Sequence, residues 1–481
     1  MEIKLKPKFK TSRLHRRGAV ASMLLVFVLV VSVVFLLSGC TVNIEITGET
    51  PHGITDESVR DMVFGLDSEI ELADGTKSTA INFDNAATTP AFKQVLEEVE
   101  KQLAYYGSIG RGKGQKAVHS TEVFEQGRLT VLDFVNADPN KYTAIYIGNT
   151  TSGINLLASA LITDKDDIVL LSRMEHHAND LPWRHMATTI YADVDEKGRL
   201  VLEDVERLLQ ENTVKFVSIT AASNVSGYVN DVHAIARLAH QYGAEIIVDG
   251  AQIVAHRPFS MNSPDGLGDI DYFIFAGHKM YAPFGSGAIV GVTDRLNQHM
   301  PGILGGSMVD IVADSVETYQ DAPHRYEAGS PNYLGVVAML KSMEILKYEI
   351  GFDYIIEHEQ RLLRRLIDGL KEIPGITFYD DTEYIADQVG LLVFNIDGVD
   401  SGDLAQQFAD RWGIAVRQGA FCSHPYVFRL LGIPDDQITQ EMYERGFSIP
   451  SMVRVSFGIY NNEDEVDILL EAVKTIVEEK N

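Results

Sequence analysis

The chain has 481 residues, a length typical of two packed domains rather than of one small core. The formal net charge is −27, and because the basic first 17 residues carry +6, the remainder carries −33. A body this acidic is repelled by nucleic acid and by anionic lipid, which argues against both as ligands. The two cysteines, Cys40 and Cys422, are too few for a disulfide framework.

The first 40 residues predict a signal or membrane-anchor segment that is not part of the fold. Seven basic residues precede an uncharged run at 19–37, which spans ~28 Å as a helix, enough for a bilayer core. The run ends in LSGC at 37–40, which resembles the lipobox of bacterial lipoproteins and implies acylation of Cys40. The alternative is an uncleaved signal anchor. In both cases we expect a body tethered to the membrane on its extracytoplasmic face.

Three further segments follow. Residues 41–79 are polar and predict a tether with an N-terminal helix at Asp56–Gly65. From 80 to 345, strand-like runs alternate with amphipathic helices, which is typical of a large α/β domain with a mostly parallel sheet. Residues 346–481 predict a small α+β domain that begins with a long helix at Tyr348–Lys371. The clearest predicted strands of the large domain are Ala144–Ile147, Ile168–Leu171, Phe216–Ile219, Ile246–Val248 and Phe273–Phe275.

Two of these strands are followed directly by ionisable side chains. Asp249 follows one of them, and Lys279 follows the next, preceded by His278. Because ligands bind beyond the carboxyl ends of strands in open α/β sheets, we expect the carboxylate and the amine to face one crevice. Pyridoxal phosphate (PLP) requires a lysine for its Schiff base and an acid for its pyridinium nitrogen. Taken singly, a helix-capping Asp and a solvated Lys are the simpler interpretations.

Short motifs in a fixed order carry a resemblance over roughly residues 80–475. Together they resemble the PLP-dependent class V aminotransferase family and, within it, the cysteine desulfurase/selenocysteine lyase branch. The resemblance implies PLP fold type I, with a seven-stranded-type sheet in the large domain and a homodimer as the usual assembly. The motifs are FDNAATTP at 83–90, GNTTSGINLLA at 148–158, MEHHANDLPW at 174–183, SNVSG at 223–227, VDGAQ at 248–252, GHKMYAPFG at 277–285, RYEAGSPN at 325–332, VRQGAFCSHP at 416–425 and VRVSFGIYN at 453–461.

The resemblance implies how the ring of PLP is held. Lys279 would carry the cofactor, and Asp249 would keep the ring nitrogen protonated. Gln252 matches the residue that hydrogen-bonds the ring oxygen. His176 matches a histidine that stacks on the ring and transfers protons, a task that a pKa near neutrality suits. On its own, His176 reads as an ordinary loop histidine.

The phosphate end of PLP has its own motif. The GNTT segment lies between a strand and an apolar helix, and a helix N-terminus offers free amide donors and a positive dipole end. Simple helix capping is the alternative. The resemblance implies that Thr150, Thr151 and His278 bind the phosphate. It also implies that Ser330 reaches the phosphate of the partner subunit.

The remaining candidates concern the substrate. Asn224 and Arg454 resemble groups that bind a substrate carboxylate, for which arginine offers bidentate geometry. Arg417 is expected to assist on the same loop as Cys422. In cysteine desulfurases a loop cysteine attacks the substrate sulfur as a thiolate, and Cys422 matches it. The alternative for Cys422 is a small buried residue.

The leading hypothesis is therefore a PLP-dependent cysteine desulfurase that converts L-cysteine to L-alanine, leaves a persulfide on Cys422 and passes sulfur to an acceptor protein. A second hypothesis is another class V reaction, such as transamination, epimerisation or elimination, with Cys422 a bystander. A third is an exported lipoprotein that keeps the fold without catalysis.

Overall fold

The computed structural model describes residues 53–110, 112–434, 438–446 and 449–480. The predicted signal segment, Cys40 and the first part of the 41–79 tether lie outside these residues and stay predictions. In the part of the chain that is described, no helix is both long enough and apolar enough to cross a bilayer.

A short helix and three short strands lead into the first motif. They are α1 (Asp56–Met62), β1 (Glu69–Glu71), β2 (Lys77–Thr79) and β3 (Ile81–Asn82). Helix α1 begins after Thr55, whose side chain accepts from the N–H of Ser58 while the Ser58 hydroxyl accepts from the N–H of Thr55. The helix ends before the predicted Gly65.

Seven strands form the large sheet and confirm the predicted α/β architecture. They are β4 (Tyr142–Ile147), β5 (Ile168–Ser172), β6 (Thr188–Ala192), β7 (Val214–Thr220), β8 (Glu245–Asp249), β9 (Tyr272–Ala276) and β10 (Gly287–Val292). Their order across the sheet is β4-β10-β9-β8-β7-β5-β6. Strand β10 is antiparallel to both of its neighbours, and all other neighbouring strands are parallel.

Helices cover both faces of this sheet, which explains why its central strands β8, β9 and β10 are largely apolar and buried. In β8, Ile246 and Val248 pack on one face, and Ile247 between them packs on the other. The helices of this region are α2 (Lys93–Leu103), α3 (Gln115–Phe134), α4 (Thr150–Leu161), α5 (Leu181–Met186), α6 (Leu202–Glu211), α7 (Val232–Gln241), α8 (Thr293–Leu296) and α9 (Tyr333–Glu344). The hairpin of β11 (Val309–Ala313) and β12 (Val316–Tyr319) lies between α8 and α9.

The predicted long helix at Tyr348–Lys371 is shorter than expected. Residues Ile345–Ile350 continue α9 as a π-helix, and Gly351 breaks the chain direction with a φ of 84°. That left-handed conformation favours glycine, because a side chain would be strained there. Helix α10 therefore begins only at Phe352 and runs to Lys371.

The C-terminal part contains a four-stranded antiparallel sheet. Its elements are β13 (Ile376–Phe378), β14 (Leu391–Ile396), α11 (Ser401–Trp412), β15 (Ile414–Ala415), β16 (Arg417–Gly419), α12 (His424–Leu430), α13 (Gln440–Glu444), β17 (Met452–Ser456) and α14 (Glu463–Lys480). The sheet order is β13-β14-β17-β16, and β15 pairs with β3 from the N-terminal side. The predicted domain boundaries near 80 and 345 stay predictions.

The parallel strands determine where the site lies. Strands β4, β5, β7, β8 and β9 all end at one edge of the large sheet, because they run in the same direction. The residues at or just beyond these five ends are Thr150, His176, Asn224, Asp249 and Lys279. The fold thus brings together side chains that are up to 129 positions apart in the chain.

Candidate active site

A cavity of about 310 Å³ opens at this edge of the sheet. The turn around Cys422 and strand β17 close its other side. With one exception, every residue predicted to bind cofactor or substrate lines the cavity, namely Thr150, Thr151, His176, Asn224, Asp249, Gln252, His278, Lys279, Arg417, Cys422 and Arg454. The exception, Ser330, is exposed on the loop before α9 and does not line it.

Lys279 ends the short turn that follows β9. Its Nζ donates to Oε1 of Gln252 at 3.2 Å. Burial lowers the pKa of Lys279 to about 8, although the nearby carboxylate of Asp249 acts in the opposite direction. The amine therefore loses its proton at a much lower pH than a surface lysine and becomes a nucleophile near neutrality.

Asp249 is the last residue of β8 and is almost completely buried. Its Oδ1 accepts from the N–H of Ala251 at 2.9 Å, which fixes the carboxyl group at the end of the strand. Burial raises the pKa of Asp249, while Ala251 and Lys279 partly oppose the rise. A buried acid in this position is suited to pair with a cationic ring nitrogen.

The N-terminus of α4 faces the same cavity. Asn149 caps the helix, since its side chain accepts from the N–H of Ser152 at 2.8 Å and the Ser152 hydroxyl accepts from the N–H of Asn149. This leaves Thr150 at the first helical position with a buried hydroxyl that has no hydrogen-bond partner. An unpartnered buried hydroxyl beside a helix N-terminus fits an anion such as phosphate.

His176 lies on the loop after β5, and its protonation differs from the prediction. Its Nδ1 accepts from the N–H of Ala178 at 3.0 Å, so the neutral ring carries its proton on Nε2. Burial, together with the positive charge of Lys279, lowers the pKa of His176 to about 3. The near-neutral pKa expected from residue type alone is wrong, and the ring is a neutral N–H donor.

Arg454, in the middle of β17, is held by contacts of its two terminal nitrogens that leave its Nε without a partner. Its Nη1 donates to the carbonyl of Asn224 at 2.8 Å, and its Nη2 contacts Oδ1 of Asp84 at 3.1 Å. Its Nε is buried without a partner. Burial lowers the pKa of Arg454 to about 10 even though Asp84 opposes this. A buried guanidinium with an unsatisfied donor fits a carboxylate ligand.

Asp84 also pairs with Arg417, at 2.7 Å between Oδ2 and Nη2. Arg417 is half exposed at the rim of the cavity, whereas Arg454 is buried inside it. Asp84 was not predicted as a site residue, although it lies in the FDNAATTP motif. The motif could have identified Asp84 as a site residue. Its pairing with two arginines more than 330 positions away could not be predicted from the motif.

Cys422 is a free, exposed thiol on a tight turn. Phe421 and Cys422 both adopt left-handed backbone conformations, with φ values of 50° and 54°. The turn is held by the N–H of His177, which donates to the Cys422 carbonyl at 2.6 Å, and by the N–H of Ser423, which donates to Ala420 at 2.8 Å. The prediction that Cys422 is accessible, rather than buried, agrees with this structure.

The side chain of Asn224 makes two further hydrogen bonds to the same turn. Its amide Nδ2 donates to the Phe421 carbonyl at 2.8 Å, and its Oδ1 accepts from the Ser423 hydroxyl at 3.0 Å. In this structure the amide is thus occupied by the Cys422 turn rather than open to a substrate carboxylate. The predicted carboxylate contact of Asn224 stays a prediction.

Comparison with known proteins agrees with this geometry. The aminotransferase class-V family model matches residues 81–469. A cysteine desulfurase of Shigella sonnei is 33% identical over 404 residues, which cover 82% of this chain and 92% of the relative. A cysteine desulfurase of Haloferax volcanii is 32% identical and covers 83% of this chain and 90% of its own length.

Solved structures give the same result. The apo cysteine desulfurase of Thermococcus onnurineus aligns with a TM-score of 0.74 at 27% identity, covering 83% of this chain and 95% of the other. A cysteine desulfurase of Escherichia coli aligns with a TM-score of 0.72 at 27% identity, covering 88% and 99%. The family model, the relatives and the site at the strand ends lead to one conclusion: the chain belongs to the class V aminotransferase family.

Proposed function

We propose that the chain is a PLP-dependent cysteine desulfurase that converts L-cysteine to L-alanine and collects the sulfur on Cys422. The observation that carries this proposal is the position of the free Cys422 thiol on the wall of the cavity that also contains Lys279 and Arg454. One cavity thus holds a lysine for the cofactor, a cation for the substrate carboxylate and a nucleophile for sulfur.

The residues of the cavity fit PLP. Lys279 would hold it covalently, Asp249 would face its ring nitrogen, and Gln252 would face its ring oxygen. The unpartnered Thr150 hydroxyl, with Thr151 and His278, would receive its phosphate. When bound, PLP supplies an electron sink for the bonds of the amino acid. The neutral His176 ring is suited to lie against it, because an uncharged ring can stack without repelling a cationic one.

The substrate amino acid would enter with its carboxylate at Arg454. The unpartnered Nε of Arg454 provides the open donor, and the buried charge provides the attraction. A carboxylate held there would leave the side chain of the substrate in the cavity that Cys422 also lines. Arg417, at the rim, would steer the anionic end inward.

The sulfur step would be carried out by Cys422. Its thiolate attacks the sulfur of L-cysteine, so that an S–S bond forms as the Cβ–S bond breaks. The electron pair of the broken bond goes to the β-carbon, which takes up a proton, and the amino acid leaves as L-alanine. Cys422 then holds a persulfide, and because the residue is exposed, a sulfur acceptor protein can reach it.

Replacing the thiol tests this function. We expect Cys422→Ser to bind L-cysteine and give the wild-type change in absorbance, because Lys279 and Arg454 are intact. Sulfide release in the presence of a reductant should fall by several orders of magnitude. Activity on selenocysteine should fall far less, since selenium leaves without thiol attack. Near wild-type activity on L-cysteine would make Cys422 a bystander and favour another class V reaction.

We also propose that the active form is a homodimer in which Ser330 reaches the phosphate of the partner's cofactor. Ser330 is exposed on a loop, and exposed apolar side chains lie in the same part of the chain, including Ile303, Leu304, Ile311 and Val312. The loop is positioned by Glu327, whose carboxylate forms a largely buried ion pair with Arg128 at 2.8 Å. Apolar surface of this kind is suited to be covered by a second copy.

Finally, we propose that the enzyme is tethered to the membrane on its extracytoplasmic face by a lipid on Cys40. The support is the amino-acid sequence: a basic flank, an uncharged run at 19–37 and the LSGC tetrapeptide.

A further inference from the structure

A series of hydrogen bonds leads from Lys279 away from the cavity into the protein interior. Lys279 Nζ donates to Gln252 Oε1 at 3.2 Å, and Gln252 Nε2 lies 3.2 Å from His256 Nε2. His256 Nδ1 in turn lies 2.5 Å from Glu359 Oε1. Gln252, His256 and Glu359 are all at least nine-tenths buried, so water competes little for the two bonds that join them.

The contacts of Glu359, at the far end of this series of hydrogen bonds, determine which atom donates in each bond. Oε2 of Glu359 accepts from Arg257 Nη1 at 3.2 Å and from the N–H of Gly390 at 3.1 Å. Burial alone raises the pKa of Glu359, but His256 and Arg257 outweigh it, and the pKa is lowered. Glu359 is therefore an ionised acceptor. His256 Nδ1 must then donate to it.

The tautomer of His256 follows and determines the orientation of Gln252. The amide nitrogen of Gln252 faces His256 Nε2 and can only donate, so this ring nitrogen is the acceptor and the ring proton lies on Nδ1. The same contact keeps the Oε1 of Gln252 turned toward Lys279. Only one of the two amide protons is used by His256, so the other is left for the cavity.

We infer that His256 and Glu359 are positioning residues that hold the amide of Gln252 in the orientation needed by the cofactor. The inference rests on the proposed function, because the free amide proton would meet the ring oxygen of PLP. Glu359 belongs to α10 and Gly390 precedes β14, so the C-terminal part of the chain sets this orientation. A Cβ at Gly390 would lie 2.9 Å from Glu359 Cγ, which shows how closely the backbone approaches the carboxylate.

The chain offers a matched control far from the cavity. Asp271, just before β9, accepts from His240 Nε2 at 2.9 Å, from the N–H of Ile246 at 2.9 Å and from Arg295 Nη2 at 3.3 Å. This is the same set of partners that Glu359 has: a histidine, a backbone N–H and an arginine. The Asp271 group lies at the opposite end of β8 and β9, and so it cannot act on Gln252.

The experiment compares two single variants of the full-length chain, Glu359→Gln and the control Asp271→Asn, with the wild type. In Glu359→Gln, the new amide must accept from Arg257 and Gly390 and donate to His256 Nδ1. We therefore expect ¹⁵N-histidine NMR without PLP to show the His256 proton on Nδ1 in the wild type and on Nε2 in the variant. His256→Gln identifies the signal. With PLP added, the dissociation constant should rise about tenfold, the effect of one hydrogen bond. Asp271→Asn should leave both readings unchanged.

Two results would overturn the inference. One is a wild-type His256 that is doubly protonated or carries its single proton on Nε2, which the wild-type spectrum shows once His256→Gln has identified the signal. The other is a Glu359→Gln chain that binds PLP within about twofold of the wild type, when one hydrogen bond predicts a tenfold loss. If the wild type itself does not bind PLP, the proposed function fails. If the wild type binds PLP but either of the two results above is found, only the inference fails.

Discussion

At the scale of single residues, burial of the Lys279 amine sets the pH dependence of cofactor attachment. An ordinary lysine has a pKa of 10.5, and burial lowers that of Lys279 to about 8. Since only the neutral amine attacks PLP, the rate of attachment to the apo protein should rise with pH and level off above about 8. Stopped-flow absorbance at a series of pH values measures this.

The control for that measurement is Lys279→Ala, which should give no adduct that borohydride can reduce. A rate that keeps rising to pH 10 would show that the amine is not desolvated in the apo protein. The sign follows from burial: removing water disfavours the charged form of a lysine, so the pKa falls.

Arg454 gives a second prediction. We expect Arg454→Ala to lower kcat/KM for L-cysteine by about 10- to 100-fold, because one charge-assisted hydrogen bond contributes roughly 1.5–3 kcal/mol. For L-cysteine methyl ester, which lacks the carboxylate, the same variant should change kcat/KM only slightly. Arg417→Ala is the control. This side chain is half exposed, so its removal should lower kcat/KM for L-cysteine less than removal of Arg454. Equal losses for acid and ester would mean that Arg454 acts structurally.

The residue types of the site could be predicted from the sequence, but their protonation could not. Lys279, Asp249 and His176 each lie directly after a recognisable strand or in a motif. Their pKa values depend on burial by segments from elsewhere in the chain, which no local pattern contains. For that reason the predicted pKa of His176 was wrong although its place on the cavity wall was predicted.

At the scale of elements, the turn from Ala420 to Ser423 is kept in a strained conformation by its neighbours. Two successive left-handed residues cost of order 1–2 kcal/mol each. The amide of Asn224 contributes two of the bonds that hold the turn. We expect Asn224→Ala to increase hydrogen exchange at residues 420–426 and to speed the alkylation of Cys422 by iodoacetamide.

The matched variant is Ser423→Ala, which removes one of these two bonds and should give an intermediate effect. Because each hydrogen bond contributes roughly 0.5–1.5 kcal/mol, the local opening free energy should fall by about 1–3 kcal/mol in Asn224→Ala. Unchanged exchange in this variant would mean that the backbone bonds alone hold the turn, and Asn224 would then be free to bind substrate.

The strands could be predicted because a short apolar run followed by a reactive side chain is a pattern of neighbouring residues in the sequence. The contacts between Asn224 and the Cys422 turn join residues 197 positions apart, so the sequence could not reveal them. Glu359 lies in the middle of an amphipathic helix, and nothing around it in the sequence indicates a link to Gln252. The end of the predicted Tyr348–Lys371 helix was correct, but its beginning was not, because Gly351 was not recognised as a break.

At the scale of the whole molecule, the sequence predicts an anchor that the described residues do not include. We expect Cys40→Ala to leave an uncleaved precursor without lipid. Intact-mass measurement of the wild-type protein from membranes tests this, with acylated Cys40 as the expected mature N-terminus. Any other mature N-terminus would contradict lipidation. The desulfurase activity of the variant should match the wild type, since the cavity lies entirely in later residues.

The central claim is that sulfur from L-cysteine passes to Cys422. The most direct test is mass spectrometry of the Cys422 peptide after a single turnover with ³⁴S-labelled L-cysteine, without reductant. The proposed function predicts one added ³⁴S atom on Cys422 and one equivalent of L-alanine. Formation of L-alanine, pyruvate or a keto acid with no sulfur on Cys422 would contradict it.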